Sequence, residues 1–445
     1  MTVMSTNTQD LIAINNAQIV TVNKSASVIE NGSLVVGGDG SIRAISSAPI
    51  ANNAAETIDA RGAIVMPGLI NSHTHLAMTL FRGLGDDMSL EDFLARLMPA
   101  EVRVLNYDAV HAGTELAALE SLLGGITTSL DMYYLPDAAI AVAKSSSLRI
   151  QTGPNFLESD GPEPLKFADR LKWATKWLEA PRDLIGATGW VAPHSTYLLS
   201  EEQLRTIADL AAKFEARVHV HASETIGEMQ LVAQRHGGRT PIQVLDDTNL
   251  LRRGVIAHGI HLSDDDIKLI AQNSATIVHC PASNFKLASG IARILDLQSA
   301  GVNIALGTDG PASGNDLDLW IAIRLAGYMQ KTNAKDPAVL PSVELVRMAT
   351  INGARALQLD HMIGSLEVGK RADLIVLDAD SPSLTPNFDP HTTITTCVTR
   401  ADVLHVLVDG KVVVRDRKCL TIDRIATINK VKALGKQVLA SVNNN

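Results

Sequence analysis

Between residues 63 and 310 short apolar runs recur, and stretches with helical spacing fill the gaps between them. The runs cover 64–71, 126–132, 150–156, 186–193, 217–222, 255–260, 276–280 and 303–308, eight in all. Spacings such as Leu204-Ile207-Leu210-Ala211-Phe214 mark the intervening segments as helices. Strands that alternate with helices form parallel βαβ units, and eight such units close into a (β/α)8, TIM-like barrel. No other arrangement accommodates the pattern as simply.

The two ends of the chain follow a different rule. Residues 11–60 alternate apolar and polar positions, with Gly38-Asp39-Gly40 as a hairpin turn between 33–36 and 41–45. Near the other end, 406–408 and 412–414 flank Asp409-Gly410 as a second hairpin, and 372–377 reads as a further strand. Two β-rich termini around a barrel combine naturally into a small β-sandwich domain. The expected division is 1–66 for its N-terminal part, 67–360 for the barrel and 361–445 for its C-terminal part with a terminal helix. The polar stretch 1–10 and the last residues, 443–445, are expected to be loose, and 1–10 lacks the layout of a signal peptide.

Composition narrows the classes of function. With 46% hydrophobic and 20% charged residues over 445 positions, the chain can bury a large core, yet no apolar run reaches membrane-spanning length. A formal net charge of -9 argues against a nucleic-acid partner recognised through basic patches. Three scattered cysteines suit a reducing compartment, so a cytoplasmic location is expected. The remaining partner is a small-molecule substrate, with the chain itself as a homo-oligomer.

In such barrels the site lies at the C-terminal ends of the strands. There the chain places His73 and His75, His194, His219 and His221 with Glu224, His258 and His261, His279 and Asp309. These account for eight of its 13 histidines. His73 and His75 share a face by the period-two rule and can grip one metal ion together. With His221 and Asp309 they make an N3O set that leaves a position open for water, whose pKa a metal lowers to roughly 7. His219 shares the face of His221 and is the alternative ligand, although His221 lies nearer the strand end. Asp309 can accept the water's proton, Glu224 can carry it to the substrate, and His258 can polarise the water or the group under attack. His261 reads as a packing residue, and His279 as site lining or core support. The fourth run has no lysine to bridge two metals, which favours one divalent ion per chain, zinc before iron(II) or manganese(II).

Pro67-Gly-Leu-Ile-Asn-Ser-His-Thr-His75 and Gly364-Ser-Leu-Glu-Val-Gly-Lys-Arg-Ala-Asp-Leu-Ile-Val376 resemble motifs of the amidohydrolase superfamily. Within it, further stretches resemble the 5′-methylthioadenosine/S-adenosylhomocysteine deaminases and the related triazine hydrolases. They are Met78-Thr-Leu-Phe-Arg-Gly-Leu84, Ala192-Pro-His-Ser-Thr-Tyr197, His221-Ala-Ser-Glu-Thr225, Pro281-Ala-Ser-Asn-Phe-Lys-Leu287 and Gly307-Thr-Asp-Gly-Pro-Ala-Ser313. The resemblance implies His73, His75, His221 and Asp309 at the metal, and Glu224 and His258 in the chemistry. It further implies His194 on the purine base and Glu101 on the ribose hydroxyls. Two positions depart from the pattern. Phe93 stands where a tryptophan is usual. Pro154 stands where an arginine would meet a homocysteine carboxylate, and Lys166 is the nearest substitute cation. The implied reaction is hydrolytic deamination of 5′-methylthioadenosine, adenosine or a related aminopurine nucleoside, with S-adenosylhomocysteine less favoured. The alternative is removal of halide or an amine from a triazine or similar ring. A scaffold without activity would be expected to miss ligands, and none is missing.

Overall fold

The computed structural model describes residues 11–50, 53–157, 162–163, 166–180 and 189–443. The loose tail expected at 1–10, residues 444–445 and the start of the fourth run at 186–188 lie outside them. Eight parallel barrel positions follow in chain order: Leu69–Thr74, Ile126–Asp131, Arg149–Gln151 continued by Asn155–Phe156, Trp190–Pro193, Arg217–Ala222, Val255–His258, Thr276–His279 and Asn303–Leu306. The first three pair in one sheet, and Asn155–Phe156 through Asn303–Leu306 pair in another. At the closure between last and first strands, the Asp309 N–H donates to the His73 carbonyl at 3.1 Å. The fold is therefore of the TIM-barrel type. β-Branched residues such as Val220, Ile256, Val278 and Ile304 dominate these strands because helices cover one face and the barrel core the other, and all are buried.

Two of the expected strands are each split in two, and both breaks have a steric cause. The run at 64–71 divides at Gly68, where an added Cβ would lie 2.3 Å from the Thr127 side chain. Ile64–Pro67 leaves the barrel and pairs with the terminal strands, while Leu69–Thr74 becomes the first barrel strand. The run at 150–156 breaks at Thr152-Gly153-Pro154. Pro154 has no N–H to give a ladder, and a Cβ on Gly153 would sit 2.1 Å from the Trp190 carbonyl oxygen. The first half consequently pairs with the second barrel strand and the second half with the fourth.

Both chain ends meet in one nine-stranded sheet, in which Ile64–Pro67 lies between Ile12–Val20 and Leu374–Leu377. The two expected hairpins are present, as Val28–Val36 with Ile42–Ser46 and Val403–Val408 with Lys411–Arg415. The second turns on Asp409 and Gly410, both left-handed, as a tight hairpin of right-twisted strands requires. The terminal helix runs Arg424–Asn443, further than the frayed end expected from the sequence. Its Val438 packs with Phe93, Leu97 and Val104 of the helix Leu90–Val104, and Arg103 Nη1 donates to the Ser441 carbonyl at 2.6 Å. That helix carries Glu101.

A buried ion pair fastens the barrel to the terminal sheet. Arg149, on the third barrel strand, donates to both carboxylate oxygens of Asp373, which also accepts the Asp409 N–H at 2.9 Å. Removing one member of a buried pair strands the other's charge, at a cost of about 3–5 kcal/mol. Asp373→Ala should therefore lower stability by about that amount in chemical denaturation, whereas an unchanged midpoint would mean that the pair contributes nothing.

Candidate metal centre and active-site pocket

His73 and His75 face the barrel axis together because they sit two apart at the end of the first strand. The structure brings them within reach of His221 from the fifth strand and Asp309 from just beyond the eighth. Asp309 Oδ1 lies 3.3 Å from His73 Nε2 and 3.2 Å from His75 Nε2, and His221 Nε2 lies 3.2 Å from His75 Nε2. Burial alone would raise the Asp309 carboxyl, but its contacts with His73 and His75 hold it well below the usual range. Its other oxygen, Oδ2, accepts hydroxyls from Ser283 and Ser313, both at 2.7 Å.

The tautomers of His75 and His221 follow from their neighbours. His75 Nδ1 donates to the Met132 carbonyl, and His221 Nδ1 donates to the His194 carbonyl at 2.8 Å. A carbonyl oxygen only accepts, so each Nδ1 carries a proton, and when the ring is neutral, as a metal ligand must be, its Nε2 presents a lone pair. Two such lone pairs facing each other at 3.2 Å repel unless a cation lies between them. His73 Nε2 is likewise buried and makes no hydrogen bond. Ligand atoms about 2.0–2.1 Å from a tetrahedral zinc stand about 3.3 Å apart, which the observed separations match. The residues present thus fit a divalent metal.

His219 does not point into this group. Its Nε2 meets His73 Nδ1 at 2.8 Å, behind the ring, and its own ring lies edge-on to Trp190. Among the two histidines of the fifth strand, His221 is the one that faces the centre. His258 comes from the sixth strand, and its Nε2 is 3.5 Å from Glu224 Oε2. One ligand atom from each of His73, His221, His258 and Asp309 falls within 4.8 Å of the others. Burial first, then neighbouring imidazoles, push His258 and His194 down to about 3, so both are neutral near pH 7. The backbone of Glu224 is held by Glu228, whose carboxylate accepts the N–H groups of Ser223 and Glu224 at 3.0 and 2.6 Å. Ser223, His258 and Asp309 all adopt left-handed φ, at 58°, 76° and 61°.

A pocket opens over this cluster. His75, His194, His221, Glu224, His258 and Asp309 form its polar floor. Phe93, Leu97, Leu157, Leu198 and Leu287 are among its apolar walls. Glu101 also lines it, buried, with the Tyr133 hydroxyl donating to its Oε1. Burial pushes the Glu101 carboxyl up to about 7, against the opposing bond from Tyr133. Among the described residues that line the pocket there is no lysine or arginine. Lys166 is exposed at the start of the helix Phe167–Glu179, and Pro154 lies on the barrel wall outside the lining.

His261 Nε2 donates to the Ser289 carbonyl at 2.9 Å and acts as a loop tie. Both ring nitrogens of His279 are buried without a hydrogen-bond partner among the described residues. Reasoning from the sequence missed Ser283, Asn284, Ser313, Glu228 and Tyr133. The first three sit in stretches that carried the resemblance, and their hydroxyl and amide groups were the available signal.

Comparison with known proteins places this geometry. The sequence pattern of the amidohydrolase family matches residues 64–413. The chain is 36% identical over 415 residues to the 5-methylthioadenosine/S-adenosylhomocysteine deaminase of Desulforudis audaxviator, covering 93% of this chain and 95% of that protein. It is 36% identical over 438 residues to the 5′-deoxyadenosine deaminase of Methanosarcina acetivorans, covering 97% and 99%. Among solved structures, an adenosine deaminase from Xanthomonas campestris with bound zinc superposes with a TM-score of 0.93 at 31% identity, over 97% of this chain and 99% of that one.

The geometry separates the two histidines of the fifth strand by experiment. His221→Ala should purify without its metal. His219→Ala should keep it at an affinity lowered about 10–100-fold, the usual effect of losing a ligand's supporting partner. Chelator competition with elemental analysis reads both, and metal loss confined to the His219 variant would reverse the assignment.

Proposed function

Because this chain belongs to the amidohydrolase family, we propose that it deaminates an adenine nucleoside whose 5′ carbon carries a small neutral group, with release of ammonia. 5′-Methylthioadenosine, 5′-deoxyadenosine and adenosine fit that description. One observation carries the reading. A single apolar pocket joins the proton-handling cluster of Glu224, His258 and Asp309 to the isolated buried carboxylate of Glu101.

His73, His75, His221 and Asp309 would hold one divalent ion, zinc in our reading, which supplies a water whose pKa is lowered to roughly 7. Asp309 Oδ1 takes a proton from the attacking water, since it faces the centre while the two serines hold Oδ2. Glu224, 3.5 Å from His258, carries a proton to the ring nitrogen beside the reacting carbon. The water oxygen bonds to that carbon, the remaining proton of the new hydroxyl passes to the exocyclic nitrogen as the carbonyl forms, and the carbon–nitrogen bond breaks to give ammonia. His258 donates a hydrogen bond to the developing oxygen, and His194 meets the base.

Glu101 accepts from the ribose hydroxyls. A carboxylate suits a vicinal diol because its oxygens accept two hydrogen bonds at once. The apolar wall receives the 5′ substituent, and its lack of a described cation disfavours the charged tail of S-adenosylhomocysteine. Glu224 also favours an amine over a halide as the group removed. Ammonia must be protonated to depart, and halide need not be.

A substrate panel scored for ammonia tests the reading. 5′-Methylthioadenosine, 5′-deoxyadenosine or adenosine should be converted. S-Adenosylhomocysteine should be roughly 10–100-fold poorer in kcat/KM, the worth of a missing charge-assisted hydrogen bond. Turnover of a chloro- or amino-triazine with no nucleoside deaminated would overturn it. Glu224→Gln keeps size but cannot ferry a proton, so it should retain metal and lose about 10²–10⁴ in kcat. A loss under about tenfold would remove Glu224 from the mechanism.

A further inference from the structure

We propose that Asn284 is a positioning residue that fixes the tautomer of His258, keeping a proton on Nε2 so that this imidazole donates to the reaction and stays out of the metal's coordination. The proposal rests on the reading of His258 as a hydrogen-bond donor given above.

Asn284 lies in the short helix Pro281–Lys286, directly after the seventh barrel strand, and its side chain is fully buried. Its Nδ2 stands 2.9 Å from His258 Nδ1, and its Oδ1 has no hydrogen-bond partner among the described residues. His258 is equally buried, with its ring stacked on His221 at 5.5 Å between centroids. Such a contact can be made in two ways. Either the amide N–H donates to a bare Nδ1, which leaves the proton on Nε2, or a rotated amide offers its oxygen to Nδ1–H, which leaves Nε2 bare.

The opposite side of the ring decides between them. His258 Nε2 faces Glu224 Oε2 at 3.5 Å. An ionised carboxylate only accepts, so a bare nitrogen there would set lone pairs against lone pairs inside a buried site. A proton on Nε2 satisfies both neighbours, with Asn284 as donor on the far side. The choice has a chemical consequence. A bare Nε2 would offer a lone pair within the cluster in which ligand atoms of His73, His221, His258 and Asp309 lie within 4.8 Å of one another, and would compete for the position that water needs. The neighbouring Ser283 holds Asp309 Oδ2 at 2.7 Å, so consecutive residues of one turn set the orientation of two reacting groups.

Nitrogen-15 NMR of histidine-labelled, zinc-loaded protein reads the tautomer directly, with the His258 signals assigned by their absence in His258→Gln. The expected result is a protonated Nε2 and a bare Nδ1 in the unmodified chain. The reverse would overturn the proposal whether or not any nucleoside is a substrate. Asn284→Asp is near-isosteric but can only accept, so it should move the proton to Nδ1. Asn284→Ala leaves the ring free to choose. The aspartate variant should therefore lose more kcat than the alanine variant, approaching the cost of about 10⁴ seen for a wrong tautomer at a catalytic histidine. A role in packing alone gives the opposite order, with alanine the worse of the two, and that order would also overturn the proposal.

Discussion

The site depends on imidazoles whose outer nitrogens are already committed. His75 is oriented by the Met132 carbonyl, just past the end of the second strand, and His221 by the His194 carbonyl, just past the end of the fourth. Asp309 is oriented by Ser283 from the turn after the seventh strand and by Ser313 from its own loop. In each case a group on a neighbouring strand end fixes the atom that faces the axis. At the fourth strand the His194 carbonyl accepts the His221 backbone N–H at 3.0 Å as well, so the two lone pairs of one oxygen hold both the backbone and the ring of the same histidine. The same constraint leaves His75 and His221 with bare nitrogens 3.2 Å apart, an arrangement that only a cation makes comfortable.

The rest of the molecule keeps this rim in register and dry. Ile64–Pro67 and Leu69–Thr74 are nearly continuous, so the strand that carries His73 and His75 is anchored at its start in the terminal sheet. The buried Arg149–Asp373 pair ties the third strand to the same sheet. On the opposite side, the terminal helix backs the helix that presents Glu101, so the carboxylate at the far end of the pocket has its own support. Burial strengthens the polar contacts within the pocket, and it pushes the carboxyl of Glu101 up to about 7.

Much of this could be read from the sequence. Eight apolar runs with helical spacers gave the barrel, because periodicity reports which faces are buried. Steric facts escaped it. Nothing in the local pattern says that Gly68 must pass against Thr127 or Gly153 against the Trp190 backbone, and those contacts divide the runs at 64–71 and 150–156. At the centre, His73, His75, His221 and Asp309 could be singled out because their types and strand-end positions are informative one at a time. Ser283, Asn284 and Ser313 could not be, since a serine or asparagine gains its meaning only from the atom it touches. His219 and His221 share a face by spacing and only nearness to the strand end favoured His221, whereas the contact that turns His219 Nε2 onto His73 Nδ1 is visible only in the fold.

Ser223, His258 and Asp309 hold left-handed backbone where glycine would sit at ease. Each such residue stores of order 1–3 kcal/mol. Two of the three cannot be exchanged for glycine without deleting the imidazole or the carboxylate that the proposed chemistry uses. The barrel must therefore carry that strain in every folded molecule. Ser223 is the one of the three at which glycine would relieve the strain without removing a group that the proposed chemistry uses.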